Sequence, residues 1–163
     1  MTTRNSTKIH SARRELLIVG ALGCLLLAAP AHAQATSGFT VQATGSVTTP
    51  TEVVNFSGPL QINVVTVPDP SGGPTTAVVN LEATDIAGTG ATTGTSFINS
   101  GEARLTRVLA ATDVVQTTFA FYQNVPGGFM KTRTALLTVN LTYDVASGAL
   151  TGATASISTP SFR

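Results

Sequence analysis

Cysteine, histidine and tryptophan are nearly missing from this chain, and the few that occur are confined to one end. The 163 residues hold one Cys, two His and no Trp, and Cys24, His10 and His32 all precede residue 34. The remainder has no imidazole to act as a general base, no thiolate nucleophile and no disulfide. That removes Ser-His-Asp triads, Cys–His pairs and most zinc sites, and it leaves the fold to stand on its apolar core. Charge is scarce too: 10% of residues are charged against 42% hydrophobic, and the mean hydropathy is +0.27. Such a composition is too apolar for a disordered chain, and the length suits one ordinary domain.

The overall charge of +1 is misleading, because four of the nine basic residues (Arg4, Lys8, Arg13, Arg14) lie in the first fourteen positions. Past Ala33, five basic residues face seven acidic ones, a net charge of −2. No basic footprint for nucleic acid remains. The early cluster belongs to a pattern with the three parts of a secretory signal peptide. Arg13 and Arg14 close a positive region, Leu16 to Ala29 form an apolar run, and Ala31-His32-Ala33 gives the small-x-small pattern of a cleavage site. The run is shorter than the ~20 residues a membrane-spanning helix needs. Residues 1–33 are therefore expected to be a cleaved signal, with Gln34 the new N-terminus, and residues 34–163 a single secreted domain in the periplasm or outside a bacterial cell. Arg13-Arg14-Glu15-Leu16-Leu17 is similar to a twin-arginine export motif. No cofactor-binding pattern follows it, so no cofactor is expected and ordinary secretion is the simpler route. Cys24 lies inside the apolar run, with Leu25-Leu26-Leu27 still to come, which argues against lipidation.

What the chain has in quantity is threonine, 25 of them past residue 33, together with valine. Both are β-branched and strand-favouring. Alternation of period two recurs: Phe39, Val41, Ala43 and Val47; Leu60, Ile62 and Val64; Val79, Leu81 and Ala83; Leu105 and Leu109; Val115, Phe119 and Phe121; Leu137, Val139, Leu141 and Tyr143. Turn chemistry separates these runs at Pro68–Pro74, Gly88–Gly94, Val125–Gly128 and Ala146–Gly148. No later stretch has a helical period. The pattern predicts an all-β fold of seven to eight one-sided strands, either an antiparallel β-sandwich or a small closed β-barrel. A membrane barrel would need aromatic girdles and an outward apolar band. Nine aromatic residues in all and Pro160 near the end argue against that.

Candidate chemistry is thin. The seven acids are scattered, most at expected strand ends or turns, so neither a catalytic carboxylate pair nor a calcium loop is indicated. Lys131 is the only lysine past residue 33 and has no serine motif around it. The Gly/Thr stretch at 88–94 has no lysine and opens no helix, so it lacks phosphate-loop geometry. A non-catalytic protein is the expectation, with no metal and no cofactor.

One pattern points further. Strand parity places Arg107 on the apolar face between Leu105 and Leu109, and Lys131 and Arg133 on the face of Leu137, Val139 and Tyr143. In a closed barrel these cations, with Phe119, Phe121 and Tyr143, would form a site for an apolar or anionic amphipathic ligand. Three other accounts compete. A bulge near Gly127-Gly128 would invert the parity of Lys131 and Arg133, strand ends would project into solvent, and Arg107 would pair with a buried acid such as Asp85. The alternative function is a self-associating structural or adhesive subunit, pilus- or matrix-like. Fimbrial subunits built by strand donation are similar in size and strand content, but most carry a disulfide that this chain lacks.

Overall fold

The computed structural model describes residues 34–161; Ala31 and Ala33 of the expected cleavage site lie outside them, and Gln34 is the first described residue. Seven strands follow one another: β1 (Thr36–Thr48), β2 (Val53–Val67), β3 (Thr76–Gly90), β4 (Ser96–Val108), β5 (Thr112–Val125), β6 (Gly128–Asp144) and β7 (Ala149–Ser158). Each pairs antiparallel with the next, and the order closes on itself as a barrel. An up-and-down meander with an odd number of strands brings its first and last strands together pointing the same way. β1 and β7 accordingly pair in parallel, over Ala43↔Ala155, Thr44↔Ser156 and Gly45↔Ile157. One rim, here called upper, carries the β1–β2, β3–β4 and β5–β6 turns and the C-terminal end of β7. The lower rim carries the start of β1 and the other three connections.

The alternating sequence explains which side faces in. Side chains of period two put Leu60, Ile62 and Val64 of β2, Val79, Leu81 and Ala83 of β3, and Leu137, Val139 and Leu141 of β6 into the interior, all at or below 1% exposure. Twenty-three buried apolar side chains form one cluster that fills the barrel. Phe121 lies within it, edge-on to Phe56 at 5.1 Å and to Phe97 at 5.9 Å between ring centroids. Thr, Ser, Asn and Gln occupy most outward positions, the reverse of the apolar-out pattern a membrane-spanning barrel requires. Among the described residues no helix is long and apolar enough to cross a membrane.

Two departures from the expected pattern have steric causes. The Gly-rich stretch at 88–94 is not all loop, since β3 runs through Gly90 and the turn begins at Ala91. Gly88 is inward-facing, and a Cβ there would be driven into the Phe56 ring. This glycine makes room for an aromatic side chain rather than marking a bend. A bulge between Ala83 and Ile86, where β3 has two residues against one on β4, turns Asp85 to the outside. Gly58 of β2 packs there against the Asp85 carbonyl, at a spot where a side chain would not fit.

The β4–β5 seam differs from its neighbours. The two strands pair only at Phe97↔Gln123, Ile98↔Tyr122, Asn99↔Phe121 and Ser100↔Ala120. The same register would continue to Val108 and Thr112, yet residues 101–108 and 112–119 carry no ladder between them. It stops at Gly101, across which the Phe119 ring lies, in the space a side chain would take. From there to the lower rim no ladder joins the two strands.

Candidate functional site

The six side chains singled out by parity do not converge; the barrel distributes them between its two rims and its core. Phe119 and Phe121 are core residues, 4% and 0% exposed. Arg107 and Tyr143 lie at the lower rim, and Lys131 and Arg133 at the upper.

At the lower rim Arg107 keeps its inward parity but meets Asp113, not Asp85. Arg107 Nε donates to Asp113 Oδ2 and Nη2 to Oδ1, both at 3.0 Å. This fork-to-fork geometry fixes both planes. The pair joins β4 to β5 across the unladdered seam, with Asp113 15% and Arg107 47% exposed. The Arg107 hydrogen bond holds the Asp113 carboxyl below its ordinary range, against the opposing effect of burial, and the same contact raises Arg107. The Val114 backbone N–H also donates to Asp113 at 2.9 Å. Tyr143, two residues beyond the Leu141 that faces Asp113, is 6% exposed, and its hydroxyl has no hydrogen-bond partner among the described residues. Burial, and then the nearby Asp113 charge, push its pKa up to about 12. Leu105 and Leu109 complete the half-buried apolar lining.

At the upper rim a bulge intervenes, at Thr132 rather than near Gly127-Gly128, and it inverts Lys131 alone. Phe121 faces Arg133 and Tyr122 faces Lys131, so Thr132 is the extra residue. Arg133 therefore keeps inward parity, whereas Lys131 is turned to the outer face. Both side chains border one half-open depression of roughly 390 Å³, with Val47, Thr48, Thr134, Thr159 and Pro160. The Thr48 N–H donates to Thr159 Oγ1 at 2.8 Å, which ties the segment after β7 across this wall. Neither Lys131 nor Arg133 has an ion-pair partner among the described residues; the salt bridge there is the one between Arg107 and Asp113. The acid nearest in the fold's plan, Glu52 on the same rim, is already engaged. It accepts from the Thr92 and Thr93 N–H groups at 3.0 Å and from the Thr93 hydroxyl at 2.7 Å. The hydroxyl contact above all holds its carboxyl below the usual range.

Three features escaped the sequence reading. Asp113 was visible by parity with Val115 and Phe119, but only the three-residue connection 109–111 brings it opposite Arg107. Glu82 and Glu102, twenty positions apart, face each other directly across β3 and β4, in register with Asn80 and Arg104. Glu102 is thus mid-strand rather than at a strand end. Asn99 is 2% exposed in the core, its Oδ1 without a partner; nothing in its local sequence marks it as inward beyond its parity with Phe97. No group of three His, Cys, Asp or Glu side chains among the described residues is arranged to hold a metal ion. What the arrangement offers chemically is recognition: two unpaired cations beside Val47 and Pro160 at one rim, and a satisfied ion pair with a buried phenol at the other. Comparison of the chain with family models, with curated proteins and with solved structures finds no match.

Proposed function

We propose that this chain is an exported, non-catalytic β-barrel that binds an anionic amphipathic ligand at its upper rim. The reading is carried by the depression that Lys131 and Arg133 border. Two cations without carboxylate partners among the described residues stand beside Pro160 and the threonines Thr48, Thr134 and Thr159. An anionic head group would be held by charge-assisted hydrogen bonds and the start of its tail against Pro160. Arg107 has no comparable role, because Asp113 already occupies its guanidinium.

The test is titration with a short-chain alkyl phosphate held below its micelle concentration, followed by calorimetry or by amide chemical shifts. The Lys131→Gln/Arg133→Gln double variant is expected to lose at least tenfold in affinity, and Arg107→Gln to lose little. Equal affinity in all three proteins would sink the reading.

A second reading rests on a different observation, the bare edges of β4 and β5 below Gly101. Unpaired strand edges are templates for another chain, which suits a self-associating subunit. Sedimentation of the purified protein at rising concentration decides it: a monomer at every concentration removes this reading.

A further inference from the structure

The hairpin that carries Lys131 and Arg133 has a tip that the ligand site does not use. β6 is the longest strand, 17 residues, and its last partner on β7 is Ser158, opposite Leu136. Residues 128–135 run on past that point with β5 as their ladder partner; Ala135 is still in the core, Lys131, Arg133 and Thr134 border the depression, and beyond Gln123, which pairs with Phe97 of β4, the hairpin has no further strand beside it. Pro126 and Gly127 make the turn, Gly127 at φ 91. A Cβ built on Gly127 or Gly128 would meet nothing within 4 Å, so the turn itself is open on its outer side.

This ribbon ends in Phe129 and Met130, 60% and 53% exposed. Among the described residues the other large exposed apolar side chains are all valines, at Val53, Val67, Val108, Val114 and Val145. A lone exposed valine needs no explanation. An adjacent Phe and Met at a projecting turn is different, because both lose hydration only if something covers the tip. Behind the tip the Thr132 bulge puts Lys131 on one face of the ribbon and Arg133 on the other. Half-buried Tyr122 stands opposite Lys131. From Val114 to Tyr143 the chain has no acidic residue, although acids outnumber bases over the rest of the domain. An apolar tip, then a tier of cations on both faces with a Tyr beside them, is the order of layers met on entering a bilayer of anionic lipid.

From these observations we infer that the β5–β6 hairpin docks on an anionic lipid surface, with Phe129 and Met130 inserted among the acyl chains and Lys131 and Arg133 against the head groups. This rests on the ligand reading above and names the source of its anionic amphiphile as a membrane. Charge complementarity selects this occupant over a neutral bilayer or an acid-free protein face. Each inserted apolar side chain is worth about tenfold in binding, and each cation near the surface about fivefold.

The experiment is co-sedimentation of the protein, purified from its host, with vesicles of phosphatidylglycerol and phosphatidylcholine or of phosphatidylcholine alone. Wild type is expected to bind the anionic vesicles, more weakly at high salt, and to leave the neutral ones in solution. Phe129→Ser/Met130→Ser is expected to lose at least tenfold on vesicles while keeping its affinity for monomeric alkyl phosphate; Lys131→Gln/Arg133→Gln is expected to lose both. Equal binding of wild type and the tip variant, or equal binding to neutral vesicles, overturns the docking proposal. Alkyl phosphate bound through Lys131 and Arg133 with vesicles ignored also overturns it and leaves the ligand reading standing. Failure of both probes removes both.

Discussion

Replacing Tyr143 by Phe should stabilise this protein, and the gain should grow with pH. The hydroxyl is buried at the lower rim with no hydrogen-bond partner among the described residues. A phenol that exchanges water for no partner forfeits about 1–3 kcal/mol, against which the Phe variant loses only the contacts of one oxygen. The expected net gain at pH 7 is about 1 kcal/mol, or roughly 4 °C in Tm for a domain of this size. The pH dependence is a separate and stricter check. Burial and the Asp113 charge raise the folded-state pKa from 10.0 to about 12. With the folded value above the unfolded one, stability is intact below pH 10 and is lost as pH rises from there through the folded value. A rise of that size corresponds to about 3 kcal/mol. Wild type should therefore lose about 2 kcal/mol of it between pH 10 and 12 relative to Tyr143→Phe, because the other titrating groups are common to both proteins. Urea unfolding of the pair at pH 7 and from pH 9 to 12 measures it. Destabilisation of the Phe variant at neutral pH would mean that the hydroxyl does have a partner. Parallel curves up to pH 12 would mean that the phenol is not held out of water. Either outcome refutes the reasoning.

The other stability predictions concern the two places where the barrel closes with few ladder bonds. Arg107→Gln should speed amide exchange at 101–108 and 112–119 well beyond any effect elsewhere, and uniform exchange across the barrel would show that the ion pair does not hold the seam. Because Arg107 depresses the Asp113 pKa, its contribution is present above the ordinary Asp range and disappears as pH falls through the depressed value. The variant's deficit should therefore vanish in strong acid, as thermal melts at pH 2 to 6 would reveal. Gly45→Ala should cost about 1–3 kcal/mol or more, since a methyl there would be driven into the Ile157 carbonyl at the β1–β7 closure. A melt unchanged from wild type would place the two strands further apart than the structure has them.

The faces of the strands were legible where the alternation ran without interruption. Leu60, Ile62, Val64, Val79, Leu81, Leu137, Val139 and Leu141 are all buried as their spacing predicts, and the strand number falls within the expected seven to eight. The choice of a closed barrel over a sandwich was not legible, because alternation reports which side of a strand is covered and not which edges meet. Parity failed where a bulge added a residue. The extra residue at Thr132 carries no compositional mark, so spacing alone puts Lys131 on the face of Arg133, and the bulge before Ile86 moves Asp85 outward in the same way. Gly88 reads as loop because glycine serves equally to bend a chain and to admit a neighbouring ring.

The two rims differ in what holds them, and that difference bears on function. At the upper rim the β4–β5 ladder is formed and the Glu52 carboxylate ties the β1–β2 and β3–β4 connections together. At the lower rim the same seam has no ladder below Gly101 and is bridged by the Arg107–Asp113 side-chain pair. Local opening starts where few backbone bonds resist it, so solvent should reach the core first through the lower part of this seam. The cationic ribbon stands on the opposite rim, and the open part of the seam meets the part of β6 beyond β7 only at the Phe119↔Ala135 pair. Loosening one should therefore leave the other intact: Arg107→Gln should exchange faster at the seam and still bind an anionic amphiphile as wild type does. A loss of both properties in that single variant would mean that the barrel transmits strain between its rims, and that the two sites are one.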